Sequence, residues 1–441
     1  MKHRKIVKKK FAMSIAVLWP IVSWSADPED WNLKLQSTYI WQGKPSMNSP
    51  YAGPNSLVRE REKSYSFTAT AALGVRLGKS TELYVDPEVA QGVPLSGLQG
   101  LAGFTNGEMA RSSGADPTLY LARLFVRHVI NESTAMDDVE SGMNQLGGSY
   151  AKRRWVLTAG KLSVLDIFDT NSFAHDPRAQ FMNWTLMTHG AYDYAADSRG
   201  YSWGLAAEYF ANDWTVRFGR FMQPKEPNLL QLDARFGEHY GDQFELEKRY
   251  TFGEDQPGTV RLLVFRNRAV MSRYENALAL ASSTGTVPDI NQVRQGAQIK
   301  YGAGINVEQR IAKDFGMFGR AMWADGRTEV YAFTEVDRSV SAGGALNGRR
   351  WGRSDDVLGI GFAQHWLAAA HRNVLALGGQ TFFLGDGGLR YRPEQVLEAY
   401  YLFAPTKGVT VTFDLQRIAN PGYNADRGPA RFFGVRLHVE N

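Results

Sequence analysis

The residues best placed to meet a solute are charged ones on the polar side of alternating segments. In residues 118–130, Tyr120, Ala122, Leu124, Val126 and Ile130 share one face, and Arg123 and Arg127 lie on the other. Arg76, Asp86 and Glu88 hold similar positions in the preceding segments. A guanidinium donates several fixed hydrogen bonds, a carboxylate accepts them, and a hydroxyl does both. A ring of mixed sign therefore suits a neutral polyol, whereas a purely cationic ring would select anions. Residues 163–184 add Asp166, Phe168, Asp169, His175, Asp176, Arg178 and Trp184. Folded inward as a constriction loop, this stretch would offer Phe168 or Trp184 as an apolar platform, with polar groups nearby for hydroxyls. Its Asp176-Pro177-Arg178 turn is expected to pin the loop. The same charges also read as solvated groups that balance one another.

Catalytic readings find less support. Asp166 and Asp169 form a carboxylate pair of a kind that any acidic loop supplies. His175 and Asp176 point apart in an extended chain, and His189 lies well downstream, so no metal-ligand spacing emerges. The sequence has no GxSxG elbow, and the LGKST of residues 77–81 lacks the glycine spacing of a phosphate loop. With no cysteine, thiol nucleophiles, thiolate metal sites and disulfides are excluded. The expectation is a protein that is not an enzyme and holds no metal or cofactor.

The elements that must position these side chains are strands. Trp31, Leu33, Leu35, Tyr39 and Trp41 alternate with Asn32, Lys34, Gln36, Thr38 and Gln42. Residues 65–77 repeat the scheme with Phe67, Leu73, Val75 and Leu77 against Ser66, Thr68, Thr70 and Arg76. Further segments read alike at 201–210, 214–222, 244–252, 298–308, 395–403 and 409–417, and less cleanly at 260–268, 315–324, 357–367 and 374–384. In all, about sixteen candidates emerge, near the length that a tilted strand needs to cross a bilayer. Short links at 212–213 and 406–408 suit tight turns on one rim, and the Gly- and Pro-rich stretches 44–62, 92–117 and 163–199 suit loops on the other. Phe433, Val435, Leu437 and Val439 form a closing strand, and the last residue is Asn441 where such barrels usually end in an aromatic.

Composition agrees with this reading. The 441 residues are 44% hydrophobic and 22% charged, which excludes a disordered chain. No apolar run of about 18 residues exists to span a membrane as a helix, and the mean hydropathy of −0.33 suits a barrel in which only alternate residues meet lipid. Lys2, Arg4, Lys5, Lys8, Lys9 and Lys10 precede an apolar stretch over 11–22 and a small-residue region at Ser23, Ser25 and Ala26. This is a secretory signal peptide over residues 1–25, followed by one domain over 26–441. Removing those six positive charges takes the formal charge from +5 to −1, so a nucleic-acid partner loses its support. A secreted sandwich, propeller or lectin would alternate as well. The aromatic strand ends and the lack of blade-like repeats favour a closed antiparallel transmembrane β-barrel.

Several long stretches resemble the carbohydrate-selective porin family (OprB type) of Gram-negative bacteria. They are TYIWQGKPSMNSPYAGPNSL (38–57), YVDPEVAQGVPLSGLQGLAGFTNGEMAR (84–111), GKLSVLDIFDTNSFAHDPRAQFMNW (160–184), THGAYDYAADSRGYSWG (188–204), GRFMQPKEPN (219–228) and NPGYNADRGPARFFGVRLHVEN (420–441). The resemblance implies an all-β barrel of sixteen strands in the outer membrane that admits sugars by diffusion. It also implies a constriction of arginines, acids and aromatics, outer-membrane lipid and lipopolysaccharide around the barrel, insertion by the barrel-assembly machinery, and trimers. An exporter of polysaccharide and a soluble periplasmic carbohydrate-binding protein stay open as alternatives at this point; the exporter would need a wider lumen or one of a single charge sign.

Overall fold

The computed structural model describes residues 28–441 apart from residue 254, so the expected signal peptide lies outside the described residues. The strands are β1 (Trp31–Lys44), β2 (Glu62–Gly78), β3 (Thr81–Val93), β4 (Thr118–Asn131), β5 (Met136–Val139), β6 (Gly148–Ala151), β7 (Arg153–Leu162), β8 (Ser202–Ala211) and β9 (Trp214–Met222). They continue as β10 (Tyr240–Phe252), β11 (Gln256–Val270), β12 (Ala297–Ala312), β13 (Phe315–Ala324), β14 (Arg338–Asn347), β15 (Val357–Trp366), β16 (Glu394–Thr406), β17 (Val409–Ala419) and β18 (Ala430–Glu440). Sixteen of them form one closed antiparallel barrel in chain order, and β5–β6 is a separate hairpin. The seam is β1 with β18, in the register Ser37↔Val439 and Tyr39↔Leu437. Asn441 extends that seam, its amide donating to the Leu35 carbonyl at 3.2 Å and its Oδ1 accepting from the Leu35 amide at 2.7 Å.

The faces are inverted relative to a water-soluble protein. Phe413 and Leu415 point outward, each 55% exposed, while Asp414, Gln416 and Arg436 beside them are buried toward the lumen. Period-2 alternation produces this directly, because adjacent side chains leave the sheet on opposite faces. Exposed Trp31, Trp155 and Trp214 ring one rim, and Trp203, Tyr301 and Trp323 the other. Aromatics favour such positions because their apolar bodies and polar tips suit the boundary between hydrocarbon and water.

Most links on the first rim are short. Asn212, in the left-handed region at φ 55°, makes the β8–β9 turn. Gly408, at φ 75°, makes the β16–β17 turn, where an added Cβ would lie 2.3 Å from the Glu440 carbonyl oxygen. On the second rim eight longer links carry the helices α1 (Trp184–Met187), α2 (Tyr274–Thr284) and α3 (Ala369–Ala376). Residues 374–384, expected as a strand, instead end α3 and continue as loop. Their apolar groups pack within the loop cap, where Val374 joins Tyr274, Ala277 and Ile290. Alternation alone does not single out β7 or β14; Gly343 and Gly344 blur the two faces of β14.

Beside the lumen loop, β4 departs from simple alternation. Asp86 pairs with Arg123, but Pro87 pairs with Leu121, so Ala122 is an extra residue in β4 opposite a proline that has no amide hydrogen to donate. The bulge shifts the phase of the strand. Leu119, Leu121, Val126 and Ile130 are exposed on the outside, whereas Tyr120 shares the lumen side with Arg123 and Arg127 instead of the outward face expected for it.

Residues 163–201 fold into the barrel and fill the lumen beside β10–β18. Asp169 pairs with Arg320 of β13 at 3.0 Å, and Asp193 with Lys300 of β12 at 3.1 Å. The Asn183 amide donates to Glu398 of β16 at 3.0 Å, and Arg436 of β18 donates to the Gln180 carbonyl at 2.9 Å. Charged strand residues are thereby paired with loop backbone and side chains, the condition under which buried charge is tolerated.

Candidate functional site

Between this loop and the wall formed by β2, β3, β4 and β7 lies a cavity of about 600 Å³. It reaches Trp184 and Phe333 among the loops, and Gln36 and Glu440 toward the turn rim. Arg123 and Asp166 form its central pair, with Nε and Nη2 donating to the two carboxylate oxygens at 2.7 and 2.6 Å. Asp166 is aimed by its own turn, because the Ser163 amide donates to its Oδ2 at 3.0 Å and the Ser163 hydroxyl accepts from the Leu165 amide at 3.3 Å. Burial works against the Asp166 charge, but the Arg123 guanidinium outweighs it and holds the carboxyl below its usual range. Arg123 also lies 5.2 Å from the Tyr201 ring centroid and 3.4 Å from Asp86.

Glu88 and Arg178 form a second cluster. Glu88 accepts from the Thr70 hydroxyl at 2.6 Å, from Tyr120, and from Arg178 at 3.3 Å. Arg178 also meets Glu108 at 2.9 Å. Asp176 accepts from the Arg178 amide at 2.8 Å, so it forms the turn that presents this guanidinium to the cavity. Arg199 stacks over the Tyr120 ring at 4.2 Å. His175 lines the same space, and burial together with nearby Arg320 keeps its imidazole below the ordinary histidine pKa.

Of the residues singled out from the sequence, Glu88, Arg123, Arg127, Asp166 and Trp184 line the cavity. Trp184 stacks on Phe333 with centroids 4.5 Å apart. Asp86 lies behind the lining and supports Arg123. Arg76 sits near the turn rim, paired with Glu82 at 3.0 Å. Phe168 is fully buried against Phe221 and does not reach the cavity. Asp169 is fully buried on Arg320, away from the lining. Tyr120, Glu108, Tyr201, Arg199, Asn144 and Gln145 join the lining without having been singled out. Pro87 is a sequence signal that could have revealed Tyr120, since a proline inside a strand marks a bulge.

No helix among the described residues is long and apolar enough to cross a membrane, and the crossing here is made by strands. A closed barrel with an apolar belt, aromatic girdles, short turns on one rim and an inward loop on the other is an outer-membrane porin. The sequence model of the carbohydrate-selective porin, OprB family, matches residues 57–440, and the chain belongs to that family. No curated protein matches the chain. Among solved structures it is similar to OprB of Pseudomonas putida in its high-pH structure, with 16% identity, 93% of this chain and 94% of that chain covered, and a TM-score of 0.71. It also aligns with the outer-membrane channel DcaP of Acinetobacter baumannii, with 9% identity, 93% and 97% covered, and a TM-score of 0.49. A loop L8 deletion mutant of OmpT from Vibrio cholerae aligns with 11% identity, 94% and 100% covered, and a TM-score of 0.46. The protein is therefore an outer-membrane porin through which sugars pass.

Proposed function

We propose that sugars diffuse down their gradient through the cavity and are selected at the Arg123–Asp166 and Arg178–Glu88 pairs. The observation that carries this reading is that charges of opposite sign on the strand wall, Arg123 and Glu88, are each paired with a charge on the inward loop, Asp166 and Arg178. Paired groups keep spare lone pairs and N–H donors for hydroxyls, yet present no large field of one sign to attract ions. An exporter of a charged polymer would want the opposite arrangement. About three sugar hydrogen bonds at about 1 kcal/mol net each correspond to a dissociation constant on the order of 10 mM. That is loose enough for release on the far side. The process needs no catalysis, cofactor or ATP.

Outer-membrane lipid and lipopolysaccharide surround the apolar belt in this reading, the barrel-assembly machinery inserts the chain after removal of residues 1–25, and the mature domain assembles as a trimer. Liposome swelling tests the transport step. Vesicles carrying the purified protein should swell faster in a neutral monosaccharide than in a dicarboxylate of similar mass. Equal rates for both would contradict selection by these pairs.

A further inference from the structure

Residues 132–152, between β4 and β7, form an insert on the rim where other links are short. Its base is the β5–β6 hairpin, paired from Met136↔Ala151 to Val139↔Gly148. Its tip turns back into the barrel. Asn32 Nδ2 donates to the Gln145 carbonyl at 2.9 Å, and the Leu146 backbone amide donates to the Tyr84 hydroxyl at 3.1 Å. Arg127 donates to the Asn144 carbonyl at 3.1 Å and to Gln145 Oε1 at 3.2 Å. Asn144 Nδ2 donates to Asp86 Oδ2 at 2.9 Å. Leu146 is fully buried and anchors the tip in the apolar cluster that contains Tyr84. Asn144 sits at φ 56°, a left-handed conformation that asparagine tolerates better than most residues.

Met143, Asn144 and Gln145 line the same cavity as Arg123, Asp166 and Arg178. Two buried acceptors at this point, Asp86 Oδ1 and Asn144 Oδ1, have no donor among the described residues. The Asn144–Asp86 hydrogen bond fixes the amide so that its nitrogen faces the carboxylate, which leaves its oxygen as the spare acceptor. Short turns face the periplasm in barrels of this class, so the insert enters from the exit side of the channel.

Resting on the sugar-channel reading above, we propose that the 143–145 tip is the periplasmic half of the solute filter. Its neutral amides cover Asp86 and sit beside Arg127, so the exit side of the path sets neutral hydrogen-bonding groups among the charges. The solute class it favours is a neutral polyol, whose hydroxyls both donate and accept and so match the amide groups of Asn144 and Gln145 in the lining.

The natural chain has no cysteine, so Met143→Cys in the full-length channel introduces a single thiol. In planar bilayers, a thiosulfonate reagent added from the turn-rim side should lower the open-channel current in discrete steps, and glucose should slow that loss. Asn144→Ala provides a second readout: with heat-modifiable migration intact, the reversal potential in a salt gradient should shift and glucose should reduce the current less. Failure of the thiol to react, or reaction confirmed by mass with no change in current, overturns the insert proposal. An Asn144→Ala channel with native reversal potential and native glucose response does so too. If the unmodified protein's current is indifferent to glucose, the sugar-channel reading falls first and takes this proposal with it.

Discussion

Asp169 and Arg320 meet at 3.0 Å deep inside the barrel, and the same guanidinium also donates to the carbonyls of Leu186 at 3.0 Å, Asp169 at 3.2 Å and Ala174 at 2.7 Å. One strand residue thus clasps the inward loop at three places along its length. Asp169 is held at φ 55° and fully buried, and Arg320, the adjacent His189 and hydrogen bonds from the loop overcome the burial cost and keep it ionised well below the usual carboxylate range. The loop that bounds the cavity is therefore a fixed wall, and the clasp sits on the side away from the solute.

Removing the clasp should release the wall without opening the barrel. Arg320→Met leaves Asp169 a buried charge without its partner, a loss of about 3 to 5 kcal/mol. The variant should still migrate heat-modifiably on gels, and its single-channel current should be larger and noisier than that of the native protein. A quiet trace at native conductance would count against the loop as the wall.

Arg123→Ala deletes the donor that Asp166 uses and that the proposed filter offers to the solute. Loss of one net hydrogen bond of about 1 kcal/mol weakens sugar binding about fivefold. Arg127→Ala should act in the same direction, because Arg127 holds the insert tip as well as lining the cavity. Titrating the sugar-induced drop in current for each variant checks both.

Glu88→Gln retains the shape of the second cluster and removes its charge. Arg178 then faces the cavity with Glu108 as its remaining acidic partner, so the reversal potential in a salt gradient should move toward anions. No movement would place the Glu88 charge outside the ion path.

The loop cap carries a pH dependence of its own. His371 is buried 3.0 Å from Asp337 and 3.6 Å from Glu335, and stacks on Tyr274 at 4.3 Å. Burial alone would lower its pKa from 6.5, but Asp337 and then Glu335 raise it to about 9. A folded-state pKa above the unfolded value makes the imidazolium stabilising; this contribution is complete below about 6.5 and is lost as pH rises through about 9. Hydrogen exchange of α2 and α3 should accelerate between pH 7 and pH 10 relative to barrel strands once corrected for intrinsic rate, and His371→Gln should abolish the change.

Much of the barrel was legible in the sequence because lipid and lumen make opposite demands on neighbouring residues. β1, β2, β9 and β17 alternate so regularly that their ends coincide with the pattern to within a few residues. Within β4, whose extent was legible, the inward face of Tyr120 escaped because a single extra residue, Ala122, shifts the phase of the strand. Residues 374–384 escaped because apolar groups in a helical loop cap mimic those of a strand. The site was legible only as charges on polar faces. That Arg123 would grip Asp166, that Asp169 would turn away to Arg320, and that Asn144 would return from the opposite rim depend on contacts between segments far apart in the chain. Such contacts are set by how the loop and the insert pack inside the closed wall, and local periodicity carries no record of them.

The most direct test of sugar passage through the cavity is single-channel current from the purified protein in a planar bilayer, titrated with neutral sugars at fixed salt. The structure predicts a saturable fall in current with half-effect in the millimolar range, weakened in Arg123→Ala. A current that falls only in proportion to the viscosity of the added sugar, equally in both proteins, would contradict it.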